Sequence, residues 1–141
     1  MIVTPYKPAH LESLLLQPDQ AHMVSLLANP AYRQSLAIEG KSFTAMEGTR
    51  VLGCGGLIPL WEGRAEAWSL LSSNLRREFV GIHRAALRYL DSCGFRRIEA
   101  TVDAQFERAV VWIEMLGFTY EGPLAKYTPD GRDCLRFARI R

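Results

Sequence analysis

The stretch Gly94-Phe95-Arg96-Arg97-Ile98-Glu99-Ala100-Thr101-Val102, with the run Ala109-Val110-Val111-Trp112-Ile113-Glu114-Met115-Leu116-Gly117-Phe118 behind it, decides how this chain folds. Residues 95–102 read as a strand and residues 104–116 as a helix, with Gly94 and Gly117 in the position favoured just after a helix C-terminus. Upstream, Phe79, Ile82, Ala86, Leu87, Leu90 and Cys93 recur on one face of another helix. Arg77, Arg84, Arg88 and Asp91 fall on its opposite face, which makes it amphipathic. Residues 65–72, with Trp68, Leu70 and Leu71, precede that helix as a strand. A strand, a helix and a strand in that order make a parallel crossover.

Working outward, residues 118–127, the turn Pro129-Asp130-Gly131 and residues 134–140 read as a closing hairpin. Toward the N-terminus, residues 42–46, 51–59 and 65–72 form an antiparallel meander, joined by turns at Glu47-Gly48-Thr49 and Glu62-Gly63. Residues 1–4 read as a strand stopped by Pro5 and Pro8. Leu11, Leu14 and Leu15 then recur at helical spacing until Pro18, and Asp19 caps a second helix carrying Met23, Leu26 and Leu27. A shorter turn over residues 32–38 ends at Gly40. The order β-α-α-β-β-β-α-β-α-β-β describes one α/β domain over residues 1–141, a mixed sheet of about seven strands with about four helices.

The composition suits such a domain. The chain has 141 residues, 48% of them hydrophobic and 23% charged, enough to bury a core without disulfides or metals. The longest apolar run, residues 51–61, holds three glycines and a proline and falls short of the ~18 residues of a membrane helix. No basic segment followed by an apolar one opens the chain, so a cytoplasmic protein with no membrane partner is expected. Cys54, Cys93 and Cys134 are odd in number and widely spaced, as reduced thiols are; they fit neither a zinc site nor a disulfide framework, and no metal is expected.

The net charge is +2, which argues against general nucleic-acid binding. The surplus is local: Arg76, Arg77, Arg84, Arg88, Arg96 and Arg97 against Glu78 and Asp91 make residues 76–97 net +4. Such an island reads either as a solvated helix face or as the seat of one anionic ligand.

The element order, together with Gly94 to Val102, the helix ending in Leu116-Gly117-Phe118 and the following Glu121-Gly122, resembles the Gcn5-related N-acetyltransferase (GNAT) superfamily over essentially the whole chain. A narrower resemblance is to small GNAT-like proteins of short-tailed bacteriophages, some called internal virion proteins. Trp68, Ser72, Val102-Asp103-Ala104, Trp112 and the Pro129-Asp130-Gly131 turn before Phe137 carry it. The superfamily resemblance implies acetyl-CoA as cosubstrate and a small-molecule or protein amine as acceptor. Its pantetheine arm would lie along Leu70, Leu71 and Ser72. Its pyrophosphate would rest on the turn at residues 74–82, through Gly81 and Ile82, with Arg76 and Arg77 adding charge. The phage resemblance implies a virion or host protein as partner and location; a second copy of the chain, as a homodimer, is a further expectation.

Three positions depart from the superfamily pattern. Its phosphate loop reads Gln/Arg-x-x-Gly-x-Gly/Ala, and here the run is Glu78-Phe79-Val80-Gly81-Ile82-His83, with a carboxylate in place of the cation or amide. The cofactor asparagine of the next helix is replaced by Phe106, and the tyrosine proposed to protonate the leaving thiolate falls at Ile113. Tyr120 and Tyr127 can supply a phenol instead, or be half-buried sheet residues. Glu66 can deprotonate an amine through water, or be a strand-end carboxylate. His83 reads as a solvated or capping residue before it reads as a base. Cys54 reads as core before nucleophile, and Trp68 and Trp112 as core anchors before pocket walls. These departures leave two readings: an acetyltransferase working by direct attack, and a catalytically degenerate GNAT-fold protein of phage assembly or host interaction.

Overall fold

Ile2–Pro5 (β1) pairs antiparallel with Ser42–Glu47 (β2), Ile2 opposite Met46 and Pro5 opposite Phe43. β2 in turn pairs antiparallel with Arg50–Trp61 (β3), and the two residues left between them, Gly48 and Thr49, make the hairpin expected from the sequence. These elements belong to a computed structural model that describes residues 1–141, the side chain of His22 excepted. Arg64–Leu71 (β4), Glu78–Ser92 (α3) and Arg97–Asp103 (β5) follow. The two short helices before β2 are Val24–Leu27 (α1) and Pro30–Ser35 (α2). Glu107–Met115 (α4), Thr119–Leu124 (β6) and Cys134–Ile140 (β7) complete the chain. The strands form a seven-stranded sheet in the order β1-β2-β3-β4-β5-β7-β6. β4 and β5 are parallel, the geometry that a helical crossover permits.

The residues group into two compact units, Met1–Ile58 with Trp68–Arg88, and Pro59–Ala67 with Tyr89–Arg141. The core of the first unit gathers Tyr6, Leu11, Leu27, Leu36, Val51, Cys54 and Leu70, with Trp68 packed against it. The Tyr6 ring meets Trp68 edge-on at 5.5 Å while its hydroxyl donates to the Arg33 carbonyl at 2.8 Å. The buried phenol therefore keeps a partner, as burial of a polar group demands.

The second unit sorts its residues by strand alternation. Ile98, Ala100 and Val102 are buried on one face of β5, and Arg97, Glu99 and Thr101 occupy the other. Across the ladder Ala100 stands opposite Phe137, and Thr101 opposite Arg136, so the apolar row and the charged row each continue onto β7. Gly117 follows α4 with φ +88°. In that left-handed conformation its N–H reaches the Glu114 carbonyl at 2.9 Å, closing the helix as the sequence predicts.

Three expectations change. The helix expected to start at an Asp19 cap is a 3₁₀ turn, Pro18–Met23, entered through Gln17 and followed by the four-residue α1, with Leu26 exposed; Pro18 fixes the entry one residue before Asp19. The helix expected from Leu11, Leu14 and Leu15 is only a 3₁₀ turn, Pro8–Glu12; beyond it Leu15 is exposed and Leu16 bridges to Ser72. A strand edge that accepts backbone pairing outcompetes a helix confined between Pro8 and Pro18. The helix expected from residue 104 starts at Glu107. Asp103 explains the delay: its side chain accepts the Gln105 N–H at 2.9 Å and its carbonyl the Phe106 N–H at 3.1 Å, a local turn that competes with the helix.

Candidate functional site

In the first unit, Leu70 and Leu71 end β4, Ser72 follows it, Arg76 and Arg77 precede α3, and Gly81 and Ile82 lie within α3. The Ser72 N–H donates to Leu52 of β3 at 2.8 Å. Backbone groups alternate along a strand, so the odd residues Ser69, Leu71 and Ser73 turn theirs to the opposite edge. The chain itself uses that edge. The Gln20 carboxamide donates to the Ser69 carbonyl at 3.1 Å and accepts from the Leu71 N–H at 3.4 Å. The Leu15 carbonyl accepts from the Ser73 N–H at 2.8 Å. Leu70, Leu71 and Ser72 are all buried.

At the start of α3, Glu78 is turned back onto the backbone. Its carboxylate accepts the Arg76 N–H at 3.0 Å and pairs with the Arg50 guanidinium at 3.3 Å. The backbone bond from Arg76 above all, then its own N–H, holds the Glu78 carboxyl below its usual range. The Phe79 and Val80 N–H groups bond to the Arg76 and Arg77 carbonyls at 3.3 and 3.1 Å, a tight first turn. Glu78 is therefore an anion seated on a helix-opening donor, where it takes the place a phosphate oxygen would need. Gly81 is closely covered, since a Cβ there would stand 3.0 Å from the terminal methyl carbon of Met1. Ile82 is buried. The Arg76 and Arg77 guanidiniums are exposed and take no salt bridge among the described residues. These two side chains place exposed positive charge at this end of the unit, and along β4 the Gln20 carboxamide holds the backbone edge.

The second unit holds the three residues expected to act on the acetyl group, and it does not bring them together. Both Glu66 oxygens receive the Arg136 guanidinium at 2.8 Å, a bidentate pair that occupies the lone pairs a base needs. Glu66 stands opposite Glu99, Glu99 opposite Ala138, and Ala100 opposite Phe137. Tyr120 is opposite Phe137, so it lies one row along from Glu66 and on the other face of the sheet. Three strand spacings, about 14 Å, also separate their backbones. Tyr120 is exposed and meets the Phe137 ring at 5.6 Å. Tyr127 lies beyond the end of β6 and is exposed.

Glu99 is the hub of the charged face. Arg64 grips both of its oxygens at 2.8 and 2.7 Å, Arg97 adds a bond at 2.7 Å, and Arg136 a further one. The Arg64 bonds first, then those from Arg97 and Arg136, hold its carboxyl down to about 2 against the opposing effect of burial. Arg97 also pairs with Glu121. The face is self-neutralised, three arginines against three glutamates. Beside it, Trp61, Arg64, Arg96 and Arg97 line an open groove of about 370 Å³.

Cys54 is buried against Thr44, and burial pushes its thiol up to about 11, the opposite of a nucleophile's tuning. Among the described residues, no group of three or more His, Cys, Asp or Glu side chains is placed to hold a metal. No helix is long and apolar enough to cross a membrane. Gln20 and Leu15 escaped sequence reasoning, because nothing local marks a side chain whose partner lies 49 residues away.

No protein-family model matches the sequence, and no curated protein matches it. Solved structures do match. The ribosomal-protein-alanine N-acetyltransferase from Brucella melitensis superposes with a TM-score of 0.77 at 17% identity, over 100% of both chains. The aminoglycoside 6'-acetyltransferase type Ii gives 0.75 at 17%, over 99% of this chain and 97% of its own. The ribosomal-protein-S18-alanine N-acetyltransferase from Escherichia coli gives 0.71 at 16%, over 99% and 92%. The chain thus has the GNAT fold, a mixed seven-stranded sheet with four α-helices.

Proposed function

We infer that this protein binds acetyl-CoA and transfers the acetyl group to an amine of a small molecule or protein. The observation that carries the reading is the pair Arg76 and Arg77, exposed and without salt bridges among the described residues, at the opening of α3 in a GNAT fold. Two exposed guanidiniums side by side favour a phosphate-bearing ligand. Acetyl-CoA supplies a thioester. The acceptor nitrogen bonds to the acetyl carbon, the carbon–sulfur bond breaks, and the amine proton leaves to solvent while the thiolate is protonated. Proximity lowers this barrier without a covalent enzyme intermediate, so the chemistry tolerates Ile113 where relatives of the fold place a tyrosine. Tyr120 or Tyr127 as phenol donors, and Glu66 through water once released from the Arg136 guanidinium, are the side chains proposed for those proton transfers. Glu66 and Tyr120 stand on opposite faces, so they serve different steps or only one of them serves.

A second reading has its own observation. The Gln20 bonds on β4, the Glu78 carboxylate on the α3 donors and the Glu66–Arg136 pair favour a protein that no longer turns over. It would serve phage assembly, the virion interior or host binding, with phage or prophage origin resting on the residues of the narrower resemblance. A cytoplasmic location and a homodimer belong to the proposal as well.

Thermal unfolding with millimolar acetyl-CoA separates the two, because a ligand selective for the native state raises Tm. The active reading expects a rise that shrinks in Arg76→Ala and Arg77→Ala, together with thiol release when amines are added. A rise without thiol release supports the second reading. No rise, in the wild type or after the β4 edge is uncovered, rules out coenzyme binding.

A further inference from the structure

A carboxamide that donates to one strand carbonyl and accepts from the N–H two residues on does what an amide of a paired extended chain does. Gln20 does this to Ser69 and Leu71. The Leu15 carbonyl continues the pattern at Ser73, and Leu16 bridges antiparallel to Ser72. Residues 15–20 thus cover the β4 edge from Ser69 to Ser73 with one backbone contact region and one side chain. The segment itself is held, since Leu14, Leu16 and Met23 pack against the core. The Gln20 carboxamide is held on β4 by two hydrogen bonds, at 3.1 and 3.4 Å, from a 3₁₀ turn, Pro18–Met23, whose N-cap makes no side-chain hydrogen bond. It can leave by rotation of the side chain while the strand stays in its sheet.

We propose that Gln20 is a displaceable cover. It saturates the β4 edge in the free protein and marks, by its own chemistry, the place where an amide of a bound extended ligand pairs. The inference rests on the acetyl-CoA reading, whose pantetheine arm carries such amides. It adds that binding must first expel the Gln20 carboxamide. Apparent affinity is then reduced by the fraction of molecules in which the edge is open, which makes Gln20 a control point for the site. Any factor that draws this carboxamide off β4 raises affinity without touching the ligand.

The test combines two measurements on wild type and Gln20→Ala. Amide exchange followed by NMR reads the cover with no ligand present. Leu71 N–H is protected in the wild type and exchanges faster in the variant, while Ser72 N–H, bonded to β3, is unchanged. Calorimetric titration with acetyl-CoA reads the consequence: the variant binds more tightly, by about fivefold to tenfold, the size of one net hydrogen bond. Gln20→Glu keeps the acceptor but not the donor, and is expected to fall between them. Equal affinities overturn the cover and leave the acetyl-CoA reading standing. Weaker binding by Gln20→Ala also overturns it, making Gln20 a ligand contact. Binding by neither protein overturns the acetyl-CoA reading and the cover's role with it. Fast Leu71 exchange in the wild type overturns the cover directly.

Discussion

Replacing Glu99 by Gln tests how the charged face of the second unit is held. Glu99 has a side chain only 4% exposed, between Arg64, Arg97 and Arg136. Its carboxyl is lowered from 4.5 to about 2, first by the Arg64 hydrogen bonds. At about 1.4 kcal/mol per tenfold change, that displacement corresponds to about 3 kcal/mol of native-state stability at neutral pH. The sign follows from the direction. A carboxylate whose native value is depressed contributes fully above its unfolded value, and the contribution is lost as pH falls toward the native value. Glu99→Gln keeps the shape, removes the charge and leaves three guanidiniums against two carboxylates, Glu66 and Glu121. Urea unfolding followed by tryptophan fluorescence should show a loss of about 3 kcal/mol at pH 7, narrowing to about 1 kcal/mol near pH 3, where the wild-type carboxyl has lost most of its advantage. A loss under about 1 kcal/mol at pH 7, or a difference that does not narrow with acid, would refute the reasoning. The first would mean that the arginines are adequately solvated without their hub; the second, that packing rather than charge sets the cost.

Two further expectations concern stability and reactivity. Gly117→Ala places a Cβ at φ +88° and 3.2 Å from the Arg139 Nε, so urea unfolding should show a loss of about 1–2 kcal/mol; unchanged stability would mean that the turn relaxes freely. Cys54, 2% exposed with its thiol pushed up to about 11 by burial, should resist a disulfide reagent at pH 8 until the protein is denatured, and rapid native labelling at Cys54 would contradict that burial.

Much of the fold is legible in residue order because its determinants are local. The last strand runs over residues 134–140 as read from its alternation, and α3 carries the apolar spacing that predicts it. Gly94 and Gly117 both take positive φ just past their helices, a demand that a single residue type announces. Leu15 and Leu16 mark the boundary of such reasoning. Leu15 continues the helical spacing of Leu11 and Leu14, yet its carbonyl accepts the Ser73 N–H and Leu16 bridges to Ser72, because a tertiary partner offers hydrogen bonds that local propensity cannot weigh.

The candidate site divides the same way. The local positive island follows from charge along the chain, so the sequence by itself marks a turn that is either a solvated face or the seat of an anion. It cannot say where Glu78 bonds, since the same carboxylate either faces a ligand or caps the backbone. Only the folded chain decides that it accepts the Arg76 N–H, that Glu66 is gripped by an arginine 70 residues away, and that Gln20 takes the β4 edge. Periodicity states which residues share a face of one element. Which distant side chain saturates an open edge or neutralises a charge depends on through-space distance, and that exists only once the sheet has assembled.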